Sequence, residues 1–210
     1  MPTPTIDELT LDDEPESWAA LGFSVSGGRS RLGSVQLHFA GAGAGRGIVG
    51  WSLREIASTE LDGLPTSRSD APAADAPAGA HPNGVLAIDH VVAVSPSLDR
   101  TVATLQAAGL DLRRRREEPT PAGAPRQAFF RLGEVILEVV QEPDDVLERA
   151  GGRDRHAFFW GLALRVADLE RTVEGLGERA GSIRSAVQPG RRIATLRRSA
   201  GLGIPVALMS

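Results

Sequence analysis

The chain has 210 residues, of which 41% are hydrophobic and 24% are charged, a composition typical of a soluble globular protein with one or two domains. Its formal net charge of −4 provides no basic field that would attract nucleic acid or an anionic membrane. The chain contains no Cys and no Lys, which excludes disulfides, thiolate metal sites and Schiff-base chemistry. It has no signal-peptide pattern and no apolar run long enough to span a bilayer, so we expect a cytoplasmic protein.

Residues 1–60 predict a reduced β-α-β-β-β module. Its predicted elements are a strand, a short helix and two strands that form a hairpin, at residues 5–11, 15–21, 34–39 and 48–54. The Gly- and Ala-rich segment 41–47 joins the last two strands. It lacks the Gly-Lys-Ser/Thr ending of a phosphate-binding loop, so we interpret it as a hairpin turn. Residues 61–84 are rich in Pro, Ala and Asp, which predicts a linker.

Residues 85–150 predict a complete β-α-β-β-β module. Ser95 and Pro96 are suited to the start of its helix, and Leu98, Val102 and Leu105 recur at helical spacing. The predicted strands are residues 85–94, 110–117, 127–132 and 135–141.

Residues 151–210 repeat the same order of elements. The octet at residues 98–105 recurs at 169–176, an offset of 71 residues, and Asp168 is a good N-cap for the second helix. The predicted strands are residues 158–166, 183–187, 193–198 and 204–209. The chain is therefore predicted to be an α+β protein built from repeated modules.

Three short motifs resemble the vicinal oxygen chelate superfamily, which includes glyoxalase, bleomycin-resistance proteins and extradiol dioxygenases. The motifs are Ile88-Asp89-His90-Val91, Leu98-Asp99-Arg100-Thr101 and Leu132-Gly133-Glu134-Val135-Ile136-Leu137-Glu138-Val139. The resemblance implies paired modules whose curled, mixed sheets surround a central cleft, with helices outside. It also implies a small-molecule enzyme of isomerase or lyase type in which His90 and Glu138 are catalytic residues and metal ligands. The implied metal is one divalent ion, Zn, Ni, Mn or Fe.

The second full module departs from this pattern. The repeat offset places Gly161 opposite His90, and alignment of the final hairpins places Leu208 opposite Glu138, so this module offers no ligand at either position. If the N-terminal module pairs with the middle one, Glu8 lies at the His90 position and would be a third ligand. The last-strand counterpart of Glu8 is then Ser52, a poor ligand.

The sequence leaves three interpretations of His90 and Glu138 open. They bind a metal with Glu8, they form an acid/base pair without a metal, or they are a plain hydrogen-bonded pair. The main alternative to an enzyme is a protein of the bleomycin-resistance type, which sequesters a small molecule and binds no metal. A third alternative is a degenerate module that serves only in oligomerisation or regulation.

Four further residues are predicted to line the site. Gln188 and Arg192 stand in the turn Gln188-Pro189-Gly190-Arg191-Arg192, whose amide and two guanidinium groups would either clamp an anion or be a solvated hairpin. Phe130 and Trp160 would contact an apolar or aromatic part of the ligand, although aromatic residues on buried strands often belong to the core. The chain has an odd number of predicted modules, so we expect the N-terminal module either to cover a sheet edge or to pair with its copy in a homodimer.

Overall fold

A computed structural model describes residues 3–43, 47–73, 79, 81–120, 123 and 125–210. The N-terminal part forms a five-stranded sheet with the strand order β2-β3-β1-β4-β5. Its elements are β1 (Thr5–Leu11), α1 (Pro15–Ala19), β2 (Arg29–Leu32), β3 (Val35–Phe39), β4 (Ile48–Arg54) and β5 (Thr66–Arg68). β1 pairs with β3 in parallel and with β4 in antiparallel orientation, and β4 pairs with β5 in parallel.

Two predictions for this part are wrong. β3 and β4 do not form a hairpin, because β1 lies between them. The predicted turn at 41–47 lies partly outside the described residues, at 44–46. A connection of this length does not require the strands it joins to be neighbours. The segment 61–84 is also not a linker throughout, because Leu61 and Leu64 are buried and β5 joins the sheet.

The remainder of the chain forms one eight-stranded sheet with the order β11-β12-β13-β10-β6-β9-β8-β7. The strands are β6 (Val85–Ser95), β7 (Asp111–Arg116), β8 (Gln127–Leu132), β9 (Val135–Gln141), β10 (Phe158–Val166), β11 (Arg184–Ser185), β12 (Arg192–Thr195) and β13 (Val206–Met209). The helices are α2 (Leu98–Ala107), α3 (Asp144–Arg149) and α4 (Leu169–Leu176), with single 3₁₀ turns at Gly177–Arg179 and Arg198–Ala200. The middle and C-terminal modules are each a β-α-β-β-β unit, and the predicted α+β fold class is confirmed.

Local sequence accounts for how both long helices begin. Asp168 caps α4, since its carboxylate accepts a hydrogen bond from the Arg171 N–H at 3.0 Å. Ser95, the predicted start of α2, is instead the last residue of β6, and its hydroxyl accepts a bond from the Ser97 N–H at 3.0 Å. In α2 and α4, Leu98 and Leu169 are buried and anchor the same helix face against the sheet.

The five-stranded sheet repeats the centre of the eight-stranded one. The order β2-β3-β1-β4-β5 matches β8-β9-β6-β10-β13 in its sequence of parallel and antiparallel pairings. A bulge interrupts β1 at Asp7 and β6 at Asp89, in the same place relative to the neighbouring strand. The first sheet therefore corresponds to a reduced pair of modules, β1–β3 and β4–β5, rather than to a single module.

The two sheets pack against each other through side-chain contacts and hydrogen bonds. Phe159 meets Trp51 edge-to-face, with ring centroids 5.0 Å apart. The buried Asp13 carboxylate accepts a hydrogen bond from the Gly203 N–H at 2.7 Å. Within the described residues, no helix is long and apolar enough to cross a membrane.

Candidate functional site

The structure brings His90 and Glu138 together on one face of the eight-stranded sheet. β6 and β9 are parallel neighbours, and their register places His90 opposite Ile136 and Val92 opposite Glu138. The two polar side chains thus lie on a diagonal of the same face. His90 Nε2 lies 3.4 Å from Glu138 Oε2, and each side chain is 16% exposed. Both side chains are therefore largely buried, and each keeps a small exposed fraction.

The second imidazole nitrogen is held by the preceding residue. His90 Nδ1 lies 2.9 Å from Asp89 Oδ2. Arg191 in turn binds both oxygens of Asp89, through Nη2 to Oδ1 at 2.7 Å and Nη1 to Oδ2 at 3.1 Å. The bulge at Asp89 allows consecutive side chains to meet in this way, because it interrupts the alternation of a regular strand.

This arrangement fixes the proton on His90. Burial would raise the pKa of Asp89, but hydrogen bonds from His90 and Arg191, together with the positive charges of both, hold that pKa well below its usual range. The ionised Asp89 carboxylate only accepts hydrogen bonds, so Nδ1 carries a hydrogen. Nε2 is therefore the nitrogen left to face Glu138 Oε2, 3.4 Å away.

Glu138 is tuned in the opposite direction. Burial raises the pKa of Glu138, whereas the charge of His90 and a hydrogen bond donated by the Gln127 amide partly offset that rise. The carboxyl group thus keeps its proton to a higher pH than an exposed glutamate does. Two neighbouring carboxylates, Asp89 and Glu138, consequently differ strongly in proton affinity, and one imidazole lies between them.

We expect Glu138→Gln to become more stable relative to the wild type as the pH rises. A raised pKa in the fold means that the stability contributed by Glu138 is complete below its ordinary value of 4.5 and is lost as the pH rises through the folded value. Gln does not ionise and avoids this loss. Urea unfolding at several pH values between about 4 and 8 measures the trend.

Glu134→Gln is the matched control for this measurement. Hydrogen bonds from Ser34 lower the pKa of Glu134, so its contribution is present at neutral pH and is lost on acidification. This variant should lose stability relative to the wild type as the pH rises. Parallel pH trends for the two variants would contradict the assignment.

Glu8 is not brought to His90. It lies on β1, in the first sheet, where its carboxylate pairs with Arg29 Nε at 3.3 Å and with His38 Nδ1 at 3.7 Å. The strand register also shows that Ser52 is not the last-strand counterpart of Glu8.

The parallel neighbour of β1 is β3 and not β4, so Glu8 lies opposite Gln36 and Thr10 lies opposite His38. His38 therefore takes the position of Glu138 in the first sheet, and Ser52 does not.

The donor set does not fit the metal that the superfamily resemblance implies. A protein zinc site normally has at least three protein ligands. Over the part of the chain that the structure describes, no group of three or more His, Cys, Asp or Glu side chains is placed to hold a metal ion. His90 and Glu138 contact each other, and Asp89 is committed to Arg191.

The corresponding positions of the second module are closed by packing. A Cβ on Gly161 would lie 2.5 Å from the Pro205 carbonyl oxygen, so β10 accommodates no side chain there. Leu208 is buried in the core. The second module therefore provides packing rather than ligands.

The two aromatic residues predicted to line the site, Phe130 and Trp160, lie in different environments. Phe130 is a core residue with no exposed surface, so its predicted role in the site is wrong. Strand alternation instead places Phe129, the cross-strand partner of Glu138, on the face of the site. Trp160 is 51% exposed and lines a cavity of about 430 Å³. Neither this cavity nor a larger one of about 730 Å³, next to α4, is lined by His90 or Glu138.

In the predicted anion-binding turn, Arg191 and not Arg192 reaches the site, where it binds Asp89. Gln188 Oε1 accepts a hydrogen bond from Arg191 Nη1 at 3.0 Å, so it supports the residue that binds Asp89. Arg192 points away and pairs with Glu170 on α4. The sequence predicts Arg191 only as part of the anion-binding turn and predicts no role for Asp89. The signal for Asp89 is its position directly before His90.

Comparison with known proteins gives a likeness of fold. No family model and no curated protein matches the chain. The crystal structure of methylmalonyl-CoA epimerase from Mycobacterium tuberculosis is 19% identical, covers 60% of this chain and 88% of that one, and has a TM-score of 0.49.

A second solved structure extends over nearly all of this chain. The xylose isomerase-like TIM barrel/4-hydroxyphenylpyruvate dioxygenase fusion protein is 11% identical, with a TM-score of 0.61 over 98% of this chain and 48% of that one. This chain thus spans about half the length of the fusion protein. The likeness is one of fold alone, and at that level it agrees with the resemblance predicted from the sequence.

Proposed function

We propose that the protein is a small-molecule enzyme of isomerase or lyase type, in which His90 and Glu138 transfer a proton at a carbon next to a carbonyl or carboxylate group. The observation that carries this proposal is the linear arrangement Arg191–Asp89–His90–Glu138. It contains an orienting carboxylate, an imidazole of fixed tautomer and a second carboxyl group of raised pKa. Such pairs of oppositely tuned acids are characteristic of acid/base catalysis.

In the proposed reaction the substrate replaces the direct contact between His90 and Glu138. The Glu138 carboxylate removes the hydrogen as a proton, and the C–H bonding electrons move into the adjacent C=O group to form an enolate. His90, protonated on both nitrogens, donates a hydrogen bond from Nε2 to the enolate oxygen, while Asp89 stabilises the imidazolium. Delivery of the proton from Glu138 to a different carbon of the conjugated enolate completes an isomerisation, whereas its return to the original carbon only exchanges that hydrogen with solvent. No step is assigned to a metal, because the donor side chains among the described residues are too few to hold one.

Hydrogen exchange with solvent tests this proposal. Small 2-oxo, 2-hydroxy and 2-methyl-branched acids and their thioesters are incubated with the protein in D₂O, and deuterium at the acidic carbon is measured by mass spectrometry. We expect incorporation with the wild type and a loss of about 10²–10⁴-fold in His90→Gln and Glu138→Gln. His156→Gln, at an exposed position away from the pair, is the control and should retain the wild-type rate.

Metal analysis of the purified protein distinguishes metal-dependent proton transfer from metal-free acid/base catalysis. A stoichiometric metal whose removal by a chelator abolishes exchange would contradict metal-free acid/base chemistry at this pair. Exchange that survives in both His90→Gln and Glu138→Gln would contradict the assignment of the residues.

A second candidate function is sequestration of a small molecule without turnover. It is supported by the absence of donor side chains at Gly161 and Leu208, where packing closes the positions. Saturable binding of a ligand that shows no exchange in D₂O, with equal affinity in the wild type and in Glu138→Gln, would favour this candidate over the enzyme. Assembly into a homodimer stays a prediction under either function.

A further inference from the structure

Two aromatic side chains stand exposed at the start of β10. Phe158 is 41% exposed and Trp160 is 51% exposed, whereas Phe159 between them is buried against Trp51. The pairing of β10 with β6 slips at this point, because Phe159 lies opposite Ala93 and Gly161 lies opposite Val92. Trp160 is therefore the extra residue of a β-bulge, a device that often re-aims a side chain at a site.

These aromatic residues line a cavity between the two sheets. Its volume is about 430 Å³, which is in the range of small-molecule sites. The first sheet and its loops contribute one wall and the second sheet contributes the other: Gly47, Ile48, Gly63 and Pro65 face Ala157, Phe158, Phe159, Trp160, Gly203 and Pro205. A junction between two structural units is a common place for a ligand site.

The residues that line the cavity restrict the kind of ligand that it can bind. Among the described lining residues there is no ionisable side chain, so the lining offers no complement to a charged ligand. The carbonyl groups of Pro65 and Pro205 already accept hydrogen bonds from the N–H groups of Trp51 at 3.1 Å and Leu162 at 3.0 Å. A peptide strand would find few free backbone partners here, because added strands bind mainly through main-chain hydrogen bonds. An uncharged aromatic ring suits this lining, because Phe158 and Trp160 offer ring faces and edges for stacking.

We propose that this cavity binds a neutral, planar aromatic small molecule, which stacks against Trp160 and Phe158. Offset stacking and edge contacts supply the specificity for a ring. The site is distinct from the His90–Glu138 pair, whose side chains do not line it. Binding there does not depend on proton transfer.

The indole N–H signals provide a direct test, because the chain has only three tryptophans. Trp18 and Trp51 are buried and donate to Asp13 Oδ2 at 2.9 Å and Thr66 Oγ1 at 2.7 Å, whereas Trp160 is exposed. In ¹H–¹⁵N spectra, 1-naphthol should produce a saturable shift of the Trp160 indole signal and leave the Trp18 signal in place. Cyclohexanol, which is apolar but not planar-aromatic, should produce no saturable shift.

Variants complete the test by calorimetry with 1-naphthol. We expect Trp160→Ala and Phe158→Ala each to weaken binding by about tenfold or more. Val187→Ala removes an exposed apolar side chain outside the cavity and should bind like the wild type, as should His90→Gln. Absence of a saturable Trp160 shift, or undiminished binding by Trp160→Ala, would overturn the proposal. So would light scattering that shows a dimer, disrupted by Trp160→Ala and not by 1-naphthol, since a second copy would then cover this surface.

Discussion

Gly161→Ala is expected to lower the free energy of unfolding by about 2–3 kcal/mol. The added Cβ would stand 2.5 Å from the Pro205 carbonyl oxygen, closer than such atoms pack. That oxygen belongs to the backbone and accepts a hydrogen bond from the Leu162 N–H at 3.0 Å. Relief of the clash therefore separates the start of β13 from β10 and weakens this bond. Urea unfolding, with an unchanged slope against urea concentration, measures the loss.

Gly175→Ala is the matched control. Gly175 lies within α4, and a Cβ added there meets no atom within 4 Å. Because alanine has a higher helix propensity than glycine, this variant should gain about 0.5–1 kcal/mol of stability. A loss of stability in both variants, or in neither, would contradict the packing argument.

The same packing explains the chemical asymmetry of the two modules. A metal ligand or acid at position 161 requires a side chain, and the approach of Pro205 removes the space for one. The first strand of the middle module meets no such neighbour at His90, which faces the partly open side of the sheet. The repeat is thus preserved in its helices and strand order, and it diverges where β10 packs most closely.

The second sheet could be predicted from the sequence because its signals are local. β8 and β9 begin and end where the alternation of apolar residues predicts, with a turn at Gly133 between them. The first sheet could be predicted only in part. Its strands at β1 and β4 are also local signals, but β1 lies between β3 and β4 in the sheet. A connection as long as residues 40–47 does not specify whether the two strands it joins become neighbours.

The candidate site likewise contains residues that could be predicted from the sequence and residues that could not. Strand parity and a parallel pairing are enough to bring His90 and Glu138 to one face, so this pair could be predicted. Side chains that enter through irregular structure could not. Asp89 reaches His90 because of a bulge, and Arg191 reaches Asp89 from across the sheet, 102 residues along the chain. Neither a bulge nor a contact at that separation has a pattern in a single sequence.

Arg191→Gln is expected to lower the free energy of unfolding by about 2–3 kcal/mol at neutral pH. Arg191 binds both oxygens of the largely buried Asp89 carboxylate. Removal of the guanidinium leaves that charge with the hydrogen bond from His90, and a buried charge without an opposite charge beside it is costly. The neighbouring Arg192→Gln is the control, because its partner Glu170 is exposed, and it should unfold like the wild type.

The pH dependence identifies Asp89 as the origin of this loss. A pKa depressed in the fold contributes stability above the ordinary aspartate value of 3.8, and that contribution is lost as the pH falls through the folded value. The difference between the wild type and Arg191→Gln should therefore be complete at neutral pH and should shrink as the pH falls below 3.8. A difference that is constant down to acid pH would assign the loss to packing of the arginine side chain instead. In that case Asp89 would not be the group that orients His90 through its charge.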